Sequence, residues 1–258
     1  MPIRIIRADN KMVVRLEGII LAREAADIKQ AMKSIMREAA EDAVPIHVDN
    51  LLFMADEAIE ALVKDGRELV KGGDSIRIVE MPAEIRNFLI AHEVLPALPC
   101  DESISTENLA ELKAEFSCGQ SITVAIGEKN AEEYERMAAP LMRRQFKLIQ
   151  LKTDSKVPED GKKADGIILS LEFKAGLDSL GRLQKAGKKV MAILPKEDPT
   201  TKRSAELIGI HRVEIKPCPE SVVLEFAKSL GKKEEPKPAA AAPAAAATPA
   251  PAPAAAPV

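Results

Sequence analysis

Three places along the chain bring together residue types that could do chemistry. In the run Phe53-Met54-Ala55-Asp56-Glu57-Ala58-Ile59, two adjacent carboxylates open what reads as a helix. Oxygens at such a position accept backbone N–H groups that a helix leaves unpaired, and the helix dipole favours negative charge there. Asp56 is placed to be the N-cap and Glu57 a first-turn acid. His211 and Cys218 fall near one strand; a Cys/His pair can make a nucleophile, but nothing supplies an orienting third group or an oxyanion pocket. A core thiol and a surface histidine is the simpler reading of the pair. Lys129-Asn130 follows a strand and could meet an anion at the next helix N-terminus, although no glycine-rich phosphate loop accompanies it.

The elements that must position these residues follow from hydrophobic spacing. Strands are expected at Ile3 to Arg7 and Met12 to Leu16, separated by Asp9-Asn10 and ended by Glu17-Gly18. Ala25, Ile28, Met32, Ile35, Met36 and Ala39 recur at helical spacing and predict a helix from Ala22 to Ala39. A strand at Ile46 to Val48 precedes the acidic turn. Ile59, Leu62, Val63, Leu69 and Val70 then line a second helix, Gly72-Gly73 turns the chain, and Ser75 to Val79 is a strand. Pro82 suits a first-turn position of a helix ending near His92, Val94-Leu95-Pro96 reads as a closing strand, and Thr106 to Phe116 as a helix.

From Cys118 strands and helices alternate. Strands are expected at Ile122 to Ile126, Leu148 to Lys152, Gly166 to Leu171, Val190 to Leu194 and Arg212 to Ile215, with helices at Ala131 to Phe146, Leu177 to Ala186, Lys202 to Ile208 and Glu220 to Leu230. Short apolar strands separated by helices predict a parallel sheet covered on both faces. Thr153 to Lys163 is too short and polar for a usual helix, and Arg143-Arg144, with acidic neighbours, reads as a solvated face. The segment Lys232 to Val258 is nearly pure alanine and proline, which reads as a disordered or polyproline-like tail.

Composition excludes several classes of function. A net charge of -3 over 258 residues offers no basic stripe for nucleic acid, and 3% aromatic content leaves few stacking platforms. Cys100, Cys118 and Cys218 follow no zinc-ligand spacing, so they read as thiols in a reducing compartment, and neither metal nor cofactor is expected. Met1-Pro2-Ile3-Arg4 does not begin a signal-like segment, and no later stretch is apolar enough to span a membrane. The expected location is cytoplasmic.

The order of elements from Ile46 to Pro99 resembles the STAS domain of bacterial anti-sigma factor antagonists. The strand Ile46-His47-Val48-Asp49, the turn Phe53-Met54-Ala55-Asp56-Glu57, then Gly73, strand, Pro82, helix and Val94-Leu95-Pro96 carry the likeness, which covers residues 1 to about 117. In that family the turn opens a helix bearing a phosphorylated serine. Here Asp56 and Glu57 hold the serine positions, Ala55 replaces the preceding acid, and Leu21 replaces the acid after the second strand. The resemblance implies an anti-sigma factor or switch-protein kinase as partner, docking around Asp56, Glu57, Ile59 and Glu60. The two acids either imitate the phosphorylated state, with one charge each where phosphate carries nearly two, or only cap the helix.

Residues 118 to 231, ending in Val213-Glu214-Ile215-Lys216-Pro217 and a helix, look like the receiver domain of response regulators. The resemblance places Ile126 and Gly127 at the acidic metal-binding pair, Ser170 at the phosphoacceptor aspartate, Leu194 at the Ser/Thr position and Lys216 at the lysine. Only the lysine remains; Glu128 and Glu172 stand one or two positions away and could in principle bind a cation. The expected fold class is therefore α/β: a STAS-like mixed sheet with helices in 1–117, a flavodoxin/receiver-like parallel sheet in 118–231, and the tail 232–258. The expected function is non-catalytic signal transduction and transcription regulation, by a partner-binding module joined to a phosphorylation-dead pseudo-receiver. The alternatives are a scaffold subunit of a larger signalling assembly, with homo-oligomer formation possible, and a flavodoxin-like nucleotide-binding enzyme.

Overall fold

A computed structural model describes residues 2–8, 11–38, 44–72, 76–95, 97–101, 104–105, 107–151, 157–172, 176–210 and 212–231. The Ala/Pro-rich stretch 232–258 and His211 lie outside the described residues. Strands β1 (Ile3–Ala8) and β2 (Lys11–Leu16) pair antiparallel, with Ile3 opposite Leu16. Strands β4 (Val44–His47) and β6 (Ile76–Val79) add in parallel to give the order β1-β2-β4-β6. Side chains alternate across a strand, so Val14, Leu16, Ile46, Ile76 and Ile78 enter one core while Arg15, His47 and Arg77 do not. Helix α1 (Ala25–Glu38), entered through a 3-10 turn at Ala22–Glu24, packs beside α2 (Asp56–Gly72); both add their apolar faces to that core. Helices α3 (Ala83–Ala91) and α4 (Leu109–Phe116) complete it with Phe88, Leu89 and Phe116. Each fully buried apolar side chain contributes about 1.5–3 kcal/mol.

Two elements depart from the sequence expectation. Beyond β2 the chain continues into β3 (Gly18–Ile20), which pairs in parallel with β5 (Leu51–Met54) as a small separate sheet. Gly18 has φ +65, a left-handed conformation that glycine adopts without a Cβ clash, and it diverts the chain from the four-stranded sheet. The closing strand expected at Val94-Leu95-Pro96 does not form at Val94 and Leu95, and Pro96 lies outside the described residues. The Val94 and Leu95 amides bond back to the Leu89 carbonyl, at 2.9 and 3.4 Å, and Cys100 makes the parallel bridge to Ile78 instead. A wound turn buries both Val94 and Leu95, which are 0% and 1% exposed, whereas a strand would send one of them to the opposite face.

The second sheet is wholly parallel, with β8 (Lys147–Gln150), β7 (Thr123–Gly127), β9 (Gly166–Ser170), β10 (Lys189–Leu194) and β11 (Arg212–Ile215) lying side by side in that order. Renumbered within the sheet this is 2-1-3-4-5, the flavodoxin-like doubly wound order. Val124, Ile126, Ile168, Met191 and Ile193 face a layer made by α5 (Ala131–Arg143) and α9 (Glu220–Leu230). Ala125, Ile167, Leu169, Val190 and Ala192 face the opposite layer, which includes α7 (Gly176–Lys185) and α8 (Pro199–Leu207). Contrary to expectation, the polar stretch before β9 does carry a short helix, α6 (Val157–Lys162). Gly161 fits it against Ile167 and Leu183, close enough that a Cβ there would lie 3.0 Å from Ile167. Among the described residues no helix is long and apolar enough to cross a membrane.

Candidate functional site

In a doubly wound sheet, ligands collect at the carboxyl ends of the strands, where the strand order reverses. Here β7 and β9 end at that point. Gly127 closes β7 so tightly that a Cβ would stand 2.3 Å from Leu169 Cδ1, so any larger residue here requires the Leu169 side chain to shift. Ile126 and Ser170 are fully buried and Leu194 is 2% exposed. The chemistry of this edge moves one residue outward. Lys216 extends from the end of β11, and its ammonium lies 2.8 Å from the Glu128 carboxylate and 3.0 Å from that of Glu172. The other Glu128 oxygen accepts the Asn130 amide at 2.9 Å, and Lys129 Nζ donates to the Glu172 carbonyl at 3.0 Å.

Burial is the largest influence on the Lys216 ammonium and would lower its pKa, but hydrogen bonds and charge from Glu128 and Glu172 together carry it above its ordinary value. Its charged form is thereby favoured, and it stands between the two carboxylates that could have bound a metal. At the start of α5, Asn130 caps the helix by accepting the Glu132 and Glu133 amides, at 2.9 and 3.2 Å. With those donors used and two acids in the first turn, the anion site considered after Lys129-Asn130 is not formed. At Cys218, burial first, and then the charge of Glu214, push the thiol up to about 11, which disfavours the thiolate a nucleophile needs.

The acidic turn of the first part is arranged differently from the sequence expectation. Ala55, not Asp56, is the N-cap: its carbonyl accepts the Ala58 and Ile59 amides at 3.0 and 2.9 Å. Asp56 lies in the first turn, 72% exposed, with its carboxylate 3.4 Å from Nδ1 of His92 at the end of α3. The His92 ring lies against Phe88, tilted, with centroids 4.5 Å apart, and burial lowers its pKa despite the opposing pull of Asp56. Glu57 and Glu60 are exposed on α2. Ile59 is 5% exposed and belongs to the core, so it is not part of an outward docking face. Its position on the apolar stripe of α2 explains this, as Ile59, Leu62 and Leu69 share the buried side. A groove of about 560 Å³ with Ile59, Val63 and His92 among its walls runs beside the acids.

The largest departure is at Arg143-Arg144, which are buried, at 2% and 3% exposure. Helix α5 packs against β3 and β5, so the end of α5 meets the first part of the chain. Arg143 donates to the Leu52 carbonyl at 2.6 Å and to Glu220 at 2.7 Å. Arg144 bonds Glu84 and Glu115, both at 2.7 Å, and lies over the Phe116 ring at 4.9 Å. Desolvation is the largest effect on both guanidinium groups. It lowers the Arg143 pKa, whereas for Arg144 the hydrogen bonds from Glu84 and Glu115 prevail and raise it. Glu84, Glu115 and Glu220 stand far from this pair in sequence. The only local signal was an arginine pair closing a helix whose other face is apolar.

No protein-family model matches the sequence, and no curated protein matches it. Solved receiver-domain structures are similar in part. The BeF3-activated N-terminal receiver domain of RstA from Klebsiella pneumoniae aligns with 43% of this chain and 99% of its own, at 16% identity and a TM-score of 0.39. An orphan response regulator of H. pylori aligns over 43% of this chain and 98% of its own, at 18% identity and a TM-score of 0.39. For a response regulator from Burkholderia multivorans the values are 43%, 96%, 15% and 0.38.

Proposed function

We propose that this protein is a non-catalytic regulatory binding protein, in which residues 1–117 form a STAS-like partner-binding domain and residues 118–231 a receiver-like domain that does not accept phosphate. The observation that carries the reading is the Lys216 ammonium set between Glu128 and Glu172, at 2.8 and 3.0 Å. A receiver needs a free acidic cluster for magnesium and an exposed acceptor. Here the acids are neutralised from within, and the acceptor position is a serine with no exposed surface.

The binding surface is the exposed acidic start of α2, at Asp56, Glu57 and Glu60. By resemblance its partner is an anti-sigma factor or a switch-protein kinase, and occupation of that partner would free a sigma factor by competition. The acids are fixed in sequence, so binding is constitutive. The test is calorimetric titration of the full chain with the purified anti-sigma factor or switch kinase of the same bacterium. Binding by the native protein, and a loss of at least about tenfold in the Asp56→Lys, Glu60→Lys double variant, is expected, in line with the cost of like-charge contact at an interface. Equal binding by both proteins would remove the acidic turn from the account.

One observation favours a second reading, a scaffold subunit. The buried arginines tie α5 to β5, α3 and α4, and so hold the two sheets in a fixed relation. A large homo-oligomer in light scattering would support the scaffold; a monomer or dimer supports the antagonist.

A further inference from the structure

We infer that His47, Asp49 and Glu80 form a binding site for a divalent transition-metal ion of the zinc class, at the carboxyl ends of β4 and β6. The two strands run parallel with His47 opposite Val79, and the Val48 amide bonds the Val79 carbonyl at 3.3 Å, so they stay in register to their ends. Glu80 therefore emerges beside His47, although 33 residues separate them in sequence. One donor atom from each of His47, Asp49 and Glu80 lies within 4.8 Å of the other two.

The chemistry of the set selects the ion. An imidazole nitrogen with carboxylate oxygens suits zinc and its first-row neighbours, whereas calcium and magnesium take oxygen ligands alone. Two carboxylates match the charge of a divalent ion. Arg15 stands in register with His47 on the neighbouring strand. The imidazole is the anchored member, with its side chain 17% exposed, and its Nδ1 already faces the Glu80 carboxylate. Glu80, with its side chain 56% exposed, is free to open the short separation that a bound ion requires. Its backbone has φ +55, a conformation uncommon for a residue with a side chain, at the point where the chain leaves β6. Three protein donors leave further positions to water, the arrangement of an open site.

The site goes beyond the binding function proposed above and does not depend on it. Asp49 lies in the turn that leads from β4 into β5 and on to α2, so an ion held there braces the turn that precedes the acidic face.

The test uses the full chain stripped with chelator, titrated with Zn²⁺ by calorimetry and with Co²⁺ by visible absorption. The native protein is expected to bind a single equivalent at this site, with a ligand-field band for Co²⁺ and a rise in melting temperature with Zn²⁺. His47→Gln and Glu80→Gln should each weaken binding by at least about tenfold, since loss even of an outer-shell partner costs 10–100-fold. Glu80 is exposed, so its variant retains the fold and keeps the test valid if the His47 variant does not. Replacing the three cysteines by serine, or His92 by Gln, should leave the affinity unchanged. Absence of binding, equal affinity in the Glu80 variant, or loss of binding on cysteine replacement would overturn the inference.

Discussion

At the carboxyl end of the second sheet, Glu128 and Glu172 close around the ammonium of Lys216, and the serine ending the central strand is sealed from solvent. At the carboxyl end of the first sheet, Asp49 and Glu80 stand at the surface beside His47, and the acids that open α2 face outward. Both ends carry two carboxylates and one nitrogen side chain. The difference lies in where the compensating charge comes from. In the second sheet it is covalently part of the chain, the Lys216 ammonium lying 2.8 and 3.0 Å from the two acids. In the first sheet the carboxylates remain accessible to a partner or an ion.

The largest effect comes from trying to reopen the closed end. Gly127→Asp places a side chain 2.3 Å from Leu169 Cδ1 and buries a carboxylate without a designed partner. Overpacking and an unpaired buried charge together should cost more than about 4 kcal/mol in urea unfolding. Native-like stability would mean that the edge can admit an acid. Arg143→Ala comes next. It leaves the Leu52 carbonyl and Glu220 without their donor and should cost about 2–4 kcal/mol, less than a wholly buried pair because Glu220 is 46% exposed. It should also separate the unfolding of the two sheets into distinguishable transitions in calorimetry. Lys216→Met strands the fully buried Glu128 side chain, and about 2–3 kcal/mol should be lost, since Glu172 at 41% exposure can turn to water.

The smallest effect concerns pH at the open end. Burial lowers the His92 pKa below its ordinary 6.5, with Asp56 opposing, so the folded chain prefers the neutral ring. That contribution is whole above about pH 6.5 and is lost as the pH falls through the depressed folded value, because the unfolded state then binds the additional proton. His92→Gln should flatten the acid side of the stability curve relative to the native protein, as measured by urea unfolding across pH. An unchanged curve would show that the ring titrates alike folded and unfolded.

Much of the fold was legible because hydrophobic periodicity reports burial directly. The continuous apolar runs at Val124 to Ile126, Gly166 to Leu169 and Val190 to Leu194 announced strands buried on both faces, and the doubly wound α/β sheet is what formed. The three-residue β3 was too short to show a period, and only the left-handed Gly18 marks where it begins. Arg143 and Arg144 misled because sequence gives a side chain's charge but not the counter-charges that tertiary contact brings from Glu84, Glu115 and Glu220. Ile59 belongs to the apolar stripe of α2 with Leu62 and Leu69, and it is buried although Asp56 and Glu60 beside it are exposed. In sequence, the strand Ile46-His47-Val48-Asp49 carries only a family likeness, and no metal is expected there. Glu80 joins His47 and Asp49 only through the parallel pairing of β4 with β6, a long-range contact that no local pattern encodes.

The most direct test of the central claim is intact-protein mass spectrometry after exposure of the full chain to acetyl phosphate and Mg²⁺, paired with partner titration before and after treatment. An unmodified chain and an unchanged affinity are expected. A phosphoryl adduct on Ser170, Glu128 or Glu172, accompanied by a change in partner binding, would contradict the claim.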